Sequence, residues 1–224
     1  MDVMEAIRLR RSIREFSTKP VPRKVLEDIL EAAIHAPSAM NTQPWEFTVI
    51  AGQALESIKQ ANVEKLNRGE IPHPEYMVLG WTLDSIYRRR QVELAKQIFR
   101  HVGIPKGDKA GIAKWMERGF RFFDAPAVIV LSVDGSLSET GPALDVGAVM
   151  QNICLAALSF GLGTCIDEQG AMYPEVFRQY AGIPESKRIM VPIAMGYPDD
   201  DAPANRVRSV REPLHTMTSW CGFD

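Results

Sequence analysis

The chain lacks the short signatures that most often announce a chemistry. It has no GxGxxG or GxxxxGK(S/T) loop for phosphates, no HExxH pair for zinc and no GxSxG elbow for a nucleophilic serine. Its four histidines, His35, His73, His101 and His215, stand far apart without the spacing of a metal site. Cysteine is scarce: Cys154, Cys165 and Cys221 are an odd number with no CxxC spacing. That excludes a disulfide framework, argues against a zinc site and fits a reducing cytoplasm. No apolar run approaches the roughly 20 residues needed to span a bilayer. Asp2 and Glu5 interrupt the first residues, unlike a signal peptide, so a soluble cytoplasmic protein is expected. An excess of either charge is missing as well. Lys and Arg total 26 against 28 Asp and Glu, a formal charge of −2, so nothing draws the whole chain toward nucleic acid. There is no internal repeat.

What remains is an ordinary globular chain of 224 residues, 46% hydrophobic, long enough for one substantial core. Val3 to Arg10 reads as a short helix with Val3, Ile7 and Met4 turned inward. Pro22 can open a second helix, in which Val25, Leu26, Ile29, Leu30, Ala33 and Ile34 recur at helical spacing until Pro37. Phe47 to Ile50 reads as a strand and Gln53 to Asn67 as a helix. From about Gly69 to Phe123 the pattern changes to a helical excursion. There Trp81, Leu83, Ile86, Tyr87, Val92 and Leu94 alternate with charge, Arg88 to Arg90 form a solvated face, and residues 103–111 form a loop before a helix over 112–122. Ala127 to Val133 and Ile189 to Met195 read as buried strands. Asp145 to Phe160 is a helix so apolar that it must be buried, within the chain or against a second copy.

Two segments stand out. Arg10, Arg11, Ser12 and Arg14 place three guanidiniums and a hydroxyl within five residues, a set suited to phosphate oxygens. Ser38, Asn41 and Gln43, around a turn bounded by Pro37 and Pro44, can hydrogen-bond a polar heterocycle without bringing charge. Together they suggest an anionic, ring-bearing ligand. Arg206, Arg208 and Arg211 form a second cationic cluster in the tail, and Arg10, Arg14 and Arg211 could meet on one phosphate. On the residues alone, a solvated basic face and a plain turn account for them equally well.

RRSIREF (10–16), APSAMNTQPWEF (36–47), DVGAVMQNICLAALSFGLGT (145–164), PIAMGYP (192–198) and REPL (211–214), in this order, resemble the nitroreductase superfamily of FMN enzymes. The resemblance implies an α+β, three-layer fold over residues 1–224: a central mixed, mostly antiparallel sheet flanked by helices. It implies a homodimer whose C-terminal extension is swapped onto its partner. Arg10, Arg11, Ser12 and Arg14 would hold FMN phosphate, ribityl and the N1/O2 edge, with Arg211, helped by Arg208, completing the phosphate site. Pro37, Ser38, Asn41 and Gln43 would come from the other subunit, and Trp45 is as consistent with core packing as with a flavin contact. Cys165, Ile166, Asp167 and Glu168 would run past the isoalloxazine ring. The implied activity passes electrons from NADH or NADPH through flavin N5 to a nitroaromatic, quinone or similar flat acceptor by a ping-pong mechanism, with Arg14 stabilising the reduced flavin. No protein nucleophile or metal is needed. Reductive dehalogenation, enone reduction, flavin destruction and a non-catalytic flavin-binding redox sensor are the alternatives. Leu83 stands four residues before Tyr87, where the dehalogenases of the superfamily carry a Glu, which counts against the first.

Overall fold

The computed structural model describes residues 1–77 and 80–223. Val78 and Leu79, inside the expected excursion, and Asp224, at the end of the expected domain, lie outside the described residues.

The apolar runs form one sheet. Strands β1 (Trp45–Ala51), β2 (Ala127–Asp134), β3 (Gly163–Ile166) and β4 (Lys187–Gly196) stand in the order β1-β2-β4-β3. All three ladders are antiparallel, and the mixed character reduces to one parallel bridge between Ser12 and Thr164. Side chains alternate across the pleat. Val128 and Val130 join Leu55, Ile58, Phe122, Tyr173 and Phe177 on one face. Ala127, Ile129, Leu131 and Val133 join Leu26, Ile29, Val149 and Ile153 on the other. Helices α3 (Gly52–Asn67), α5 (Lys109–Phe120) and α7 (Pro174–Ala181) cover the first face; α2 (Arg23–Ala33) and α6 (Ala143–Leu158) cover the second. These are the three layers expected. A bulge opposite Leu131 and Ser132 breaks the alternation, so the consecutive Met190 and Val191 enter the same core.

Several sequence expectations shift for local reasons. Trp81 and Leu83 precede the next helix, α4 (Ile86–His101), because Ser85 caps it by accepting the Arg88 N–H at 3.2 Å. Asp108 does the same for α5, accepting the Gly111 N–H at 2.9 Å, so this helix starts inside the expected loop and ends at Phe120. Helix α1 (Val3–Leu9) forms, but Val3, Met4 and Ile7 are 70, 56 and 47% exposed, contrary to expectation. Nothing in the described chain is layered over that face. Helix α6 buries Val146, Val149, Ile153, Cys154 and Ala157, while Leu144 is 83% exposed.

The segment after α1 runs along the free side of β3. The Ile13 N–H donates to Thr164 O at 2.9 Å, and Phe16 bridges to Pro198. The approach is close enough to require Gly163, since a Cβ there would stand 2.4 Å from Ile13 Cγ1. Asn205 locks this arm: its Oδ1 accepts the Arg14 N–H at 2.8 Å, and its Nδ2 donates to Glu15 O at 2.7 Å and Asp199 O at 2.8 Å.

Candidate active site

The arm, the end of β3 and helices α4 and α5 enclose a cleft of about 310 Å³. Five expected residues line it together: Arg14, Cys165, Ile166, Asp167 and Glu168. The excursion supplies the opposite wall, with Gln91, Leu94, Ile98 and Phe99 from α4, Trp115 and Met116 from α5, and Phe123 beyond it. Trp115 and Phe123 are therefore core and cleft wall at once. Gln91, Leu94, Phe99 and Met116 carry no motif, and sequence reasoning gave them no role in the site.

Arg14 is held from three sides. Asn205 takes its N–H, Arg118 Nη2 donates to its carbonyl at 2.9 Å, and its guanidinium carbon lies 5.9 Å from the Phe123 ring centroid. Arg118 also pairs with Glu15 at 2.8 Å and packs over Trp115 at 5.4 Å. Neither Asn205 nor Arg118 belongs to a motif, and only the fold reveals them. Phe122, Phe123 and Asp124 all have φ between 53 and 60°, a left-handed run rare for aromatic residues. Phe122, fully buried, fixes that turn and presses on Gly170, where a Cβ would meet its ring at 2.0 Å.

The loop after β3 carries unusual acids. Asp167 is buried, its Oδ2 has no hydrogen-bond partner, and burial pushes its carboxyl well above the ordinary range. The N–H groups of Gln169 and Gly170 and the charge of Arg14 oppose that shift without cancelling it. Glu168 is half-buried and is raised by burial alone. Burial also pushes the Cys165 thiol up to about 12, which makes it inert; Ser12, bridged to the neighbouring Thr164, acts weakly against the shift.

The remaining arginines divide. Arg11 Nε is buried without a partner, and burial followed by the charge of Arg208 lowers its pKa, with Asp200 acting the other way. The two guanidinium charges are near enough to act on one another, and the buried, unpartnered Arg11 N–H is a donor of the kind that suits an anion. The charge of Arg10 acts on the buried Cys154 thiol of α6, against the upward shift that burial imposes. The expected meeting of Arg10, Arg14 and Arg211 is not found within the described chain. Arg211 folds back onto Ser209, donating to its O at 3.1 Å and its Oγ at 2.7 Å, while Glu212 pairs with Arg90 of α4 at 3.1 Å. That pair also amends the fully solvated Arg88–Arg90 face. The tail arginine beside the arm is Arg208.

Pro37, Ser38, Asn41 and Gln43 lie elsewhere. Their loop leads into β1, the opposite edge of the sheet from β3, with two strands between, or about 14 Å at ordinary strand spacing. Ser38 Oγ accepts the Gln43 N–H at 3.0 Å, and Asp145 on α6 accepts the Ala39 N–H at 3.2 Å. Met40, Asn41 and Gln43 all have positive φ, and Met40 is 98% exposed. Gln43 lines a second cavity, of about 460 Å³, with Asp134 and Asp145. Trp45 is 7% exposed and packs in the second-face core.

A three-layer α+β fold with an unpaired arginine cradle beside an aromatic cleft is the architecture of a redox-cofactor enzyme. The chain belongs to the nitroreductase family, whose model matches residues 7–197. It is 35% identical over 217 residues to the nitrobenzene nitroreductase of Ectopseudomonas oleovorans, covering 96% of this chain and 95% of that protein. It is 31% identical to the 4-nitrobenzoate reductase of Pseudomonas putida, covering 96% of this chain and 93% of that protein. Among solved structures, the FMN- and NADPH-dependent nitroreductase NfnB from Sphigopyxis sp. strain HMH superposes with a TM-score of 0.94 at 30% identity, over 100% of both chains.

Proposed function

We propose that the chain is an NAD(P)H-dependent FMN oxidoreductase that reduces nitroaromatic or similar flat acceptors in the cytoplasm, and that it works as a homodimer. The observation that carries this is the unpaired Arg11 guanidinium set against Arg208 beside the Arg14 cleft. A phosphate fits the first and an aromatic ring system fits the second. FMN, when bound, supplies the two-electron store between the nicotinamide donor and the acceptor.

Arg11 and Arg208 hold the phosphate, with Arg10 and the partner's tail, including Arg211, completing its neutralisation. Arg14 keeps a positive charge on the cleft edge, where electron density gathers on reduction; Asn205 and Arg118 fix the backbone from which its side chain projects, and the guanidinium lies by the Phe123 ring. Ser12 and the backbone of Cys165 to Glu168 bound the ring site. Burial disfavours the charged form of Asp167 and so limits the negative charge it sets against Arg14. Trp115, Phe99 and Phe123 give the stacking wall and exclude water.

The loop with Pro37, Ser38, Asn41 and Gln43 cannot serve the cleft on the far edge of its own sheet, which supports its donation to a second copy. The exposed faces of α1 and Leu144 support the same assembly, as does a tail carrying Leu214, Met217, Trp220 and Phe223, each at least 65% exposed. The test is an absorbance spectrum of the purified protein, then anaerobic NADH and NADPH. Flavin bands bleached by either nucleotide are expected. A colourless protein that takes up no added FMN overturns the reading.

A further inference from the structure

Glu168 is the anomaly of the cleft. Glu15 beneath Arg14 pairs with Arg118, and Glu117 on α5 pairs with Arg121. Among the described residues, no hydrogen bond or ion pair reaches the Glu168 carboxylate, although it is half-buried in the wall of the ligand cleft. Withdrawing a carboxylate from water without a partner is unfavourable, so a structural role does not explain it. Around it, α4 and α5 present only Gln91 and apolar or aromatic side chains. Arg14, the one cation lining the cleft among the described residues, is directed to the cofactor under the proposed function. Asp167 is almost wholly buried. The charge that the wall has left to set before an acceptor is the Glu168 carboxylate.

We propose that Glu168 sets the acceptor class: nitroarenes that are neutral or carry hydrogen-bond donors are taken, and nitroarenes bearing a carboxylate are turned away. This rests on the proposed function and narrows it. Relatives named for nitrobenzene and for 4-nitrobenzoate are both similar to this chain, so kinship does not choose between the two substrates. Electrostatics does. Two like charges about 6 Å apart in a half-buried site repel strongly enough to shift affinity by about tenfold or more.

The test uses the FMN-loaded enzyme and two readouts. One is the ratio of kcat/KM for nitrobenzene to that for 4-nitrobenzoate. The other is the ratio of Kd values for benzoate and benzamide on the oxidised protein, read from perturbation of the flavin bands. Both ratios are expected to favour the neutral compound by about tenfold or more, and to narrow to within about threefold in Glu168→Gln. Glu168→Ala gives the same direction if the glutamine variant folds poorly. A wild type that reduces nitrobenzene but binds benzoate as well as benzamide overturns the inference alone, as do ratios unchanged in both variants. A chain that holds no FMN overturns the functional reading, and this inference with it.

Discussion

The two edges of the sheet are finished differently. At the β3 edge the chain completes its own work: the arm pairs with Thr164, Asn205 clasps it, and the aromatic core runs directly into the cleft. At the β1 edge the chain offers an exposed loop with three residues at positive φ and Met40 bare to solvent. One edge carries a cleft whose wall is part of the core. The other is a strained loop tied back to its own chain by Asp145 and by its internal Ser38–Gln43 bond. Positive φ recurs in Phe122–Asp124, beside the cleft, and at Met40, Asn41 and Gln43 in the loop before β1.

That contrast can be broken, and the largest effect lies in the core beneath the cleft. Phe122→Ala is expected to lower unfolding stability by about 3–5 kcal/mol, because it empties a fully buried site; urea denaturation measures it. A loss under 1 kcal/mol would mean that the cleft edge is not core-built. Next comes the arginine cradle. Arg11→Ala should raise the FMN dissociation constant by roughly 10- to 100-fold, as expected for loss of a charged hydrogen bond, and flavin fluorescence titration reads it. Unchanged affinity would remove the phosphate site from the arm.

Asp134, at the end of β2 by the loop's cavity, and Asp167, after β3, respond oppositely to pH. Two bonds from Ser136, then Lys187, hold the Asp134 carboxyl at about 2, so its contribution is present above the ordinary value of 3.8 and is lost as pH falls toward 2. Asp167 has its folded pKa raised by burial, so the folded chain binds more protons than the unfolded one. Its contribution is full below 3.8 and declines as pH climbs toward the folded value. Thermal melts of the apoprotein should therefore show a decline with rising pH that Asp167→Asn flattens. An identical slope in the variant would mean that Asp167 is ionised in the folded chain. The smallest effect belongs to the loop: Met40→Gly should stabilise it by at most about 1 kcal/mol, through relief of a left-handed φ of 49°.

The sheet and its two helical layers were legible because buried segments leave uninterrupted apolar runs or regular periodicities: Ala127 to Val133, Leu26 to Ala33, Val146 to Ala157. The arginine arm was legible by its density of charge. The inward face assigned to α1 was not, since periodicity reports that a face is apolar and says nothing of what covers it. The caps Ser85 and Asp108 moved helix starts by a few residues, as single polar side chains do. Asn205 and Arg118 were invisible because their partners lie 191 and 103 residues away, respectively, and no local pattern encodes such a contact.

Asn205 has a further consequence for how the molecule comes into being. The arginine arm leaves the ribosome 191 residues ahead of the side chain that fixes its backbone. A nascent chain carries the arginines long before it can hold them in register. Ordering of the arm is therefore a late event of synthesis, and a translation product stopped short of residue 205 would carry the charges without the clasp that positions them.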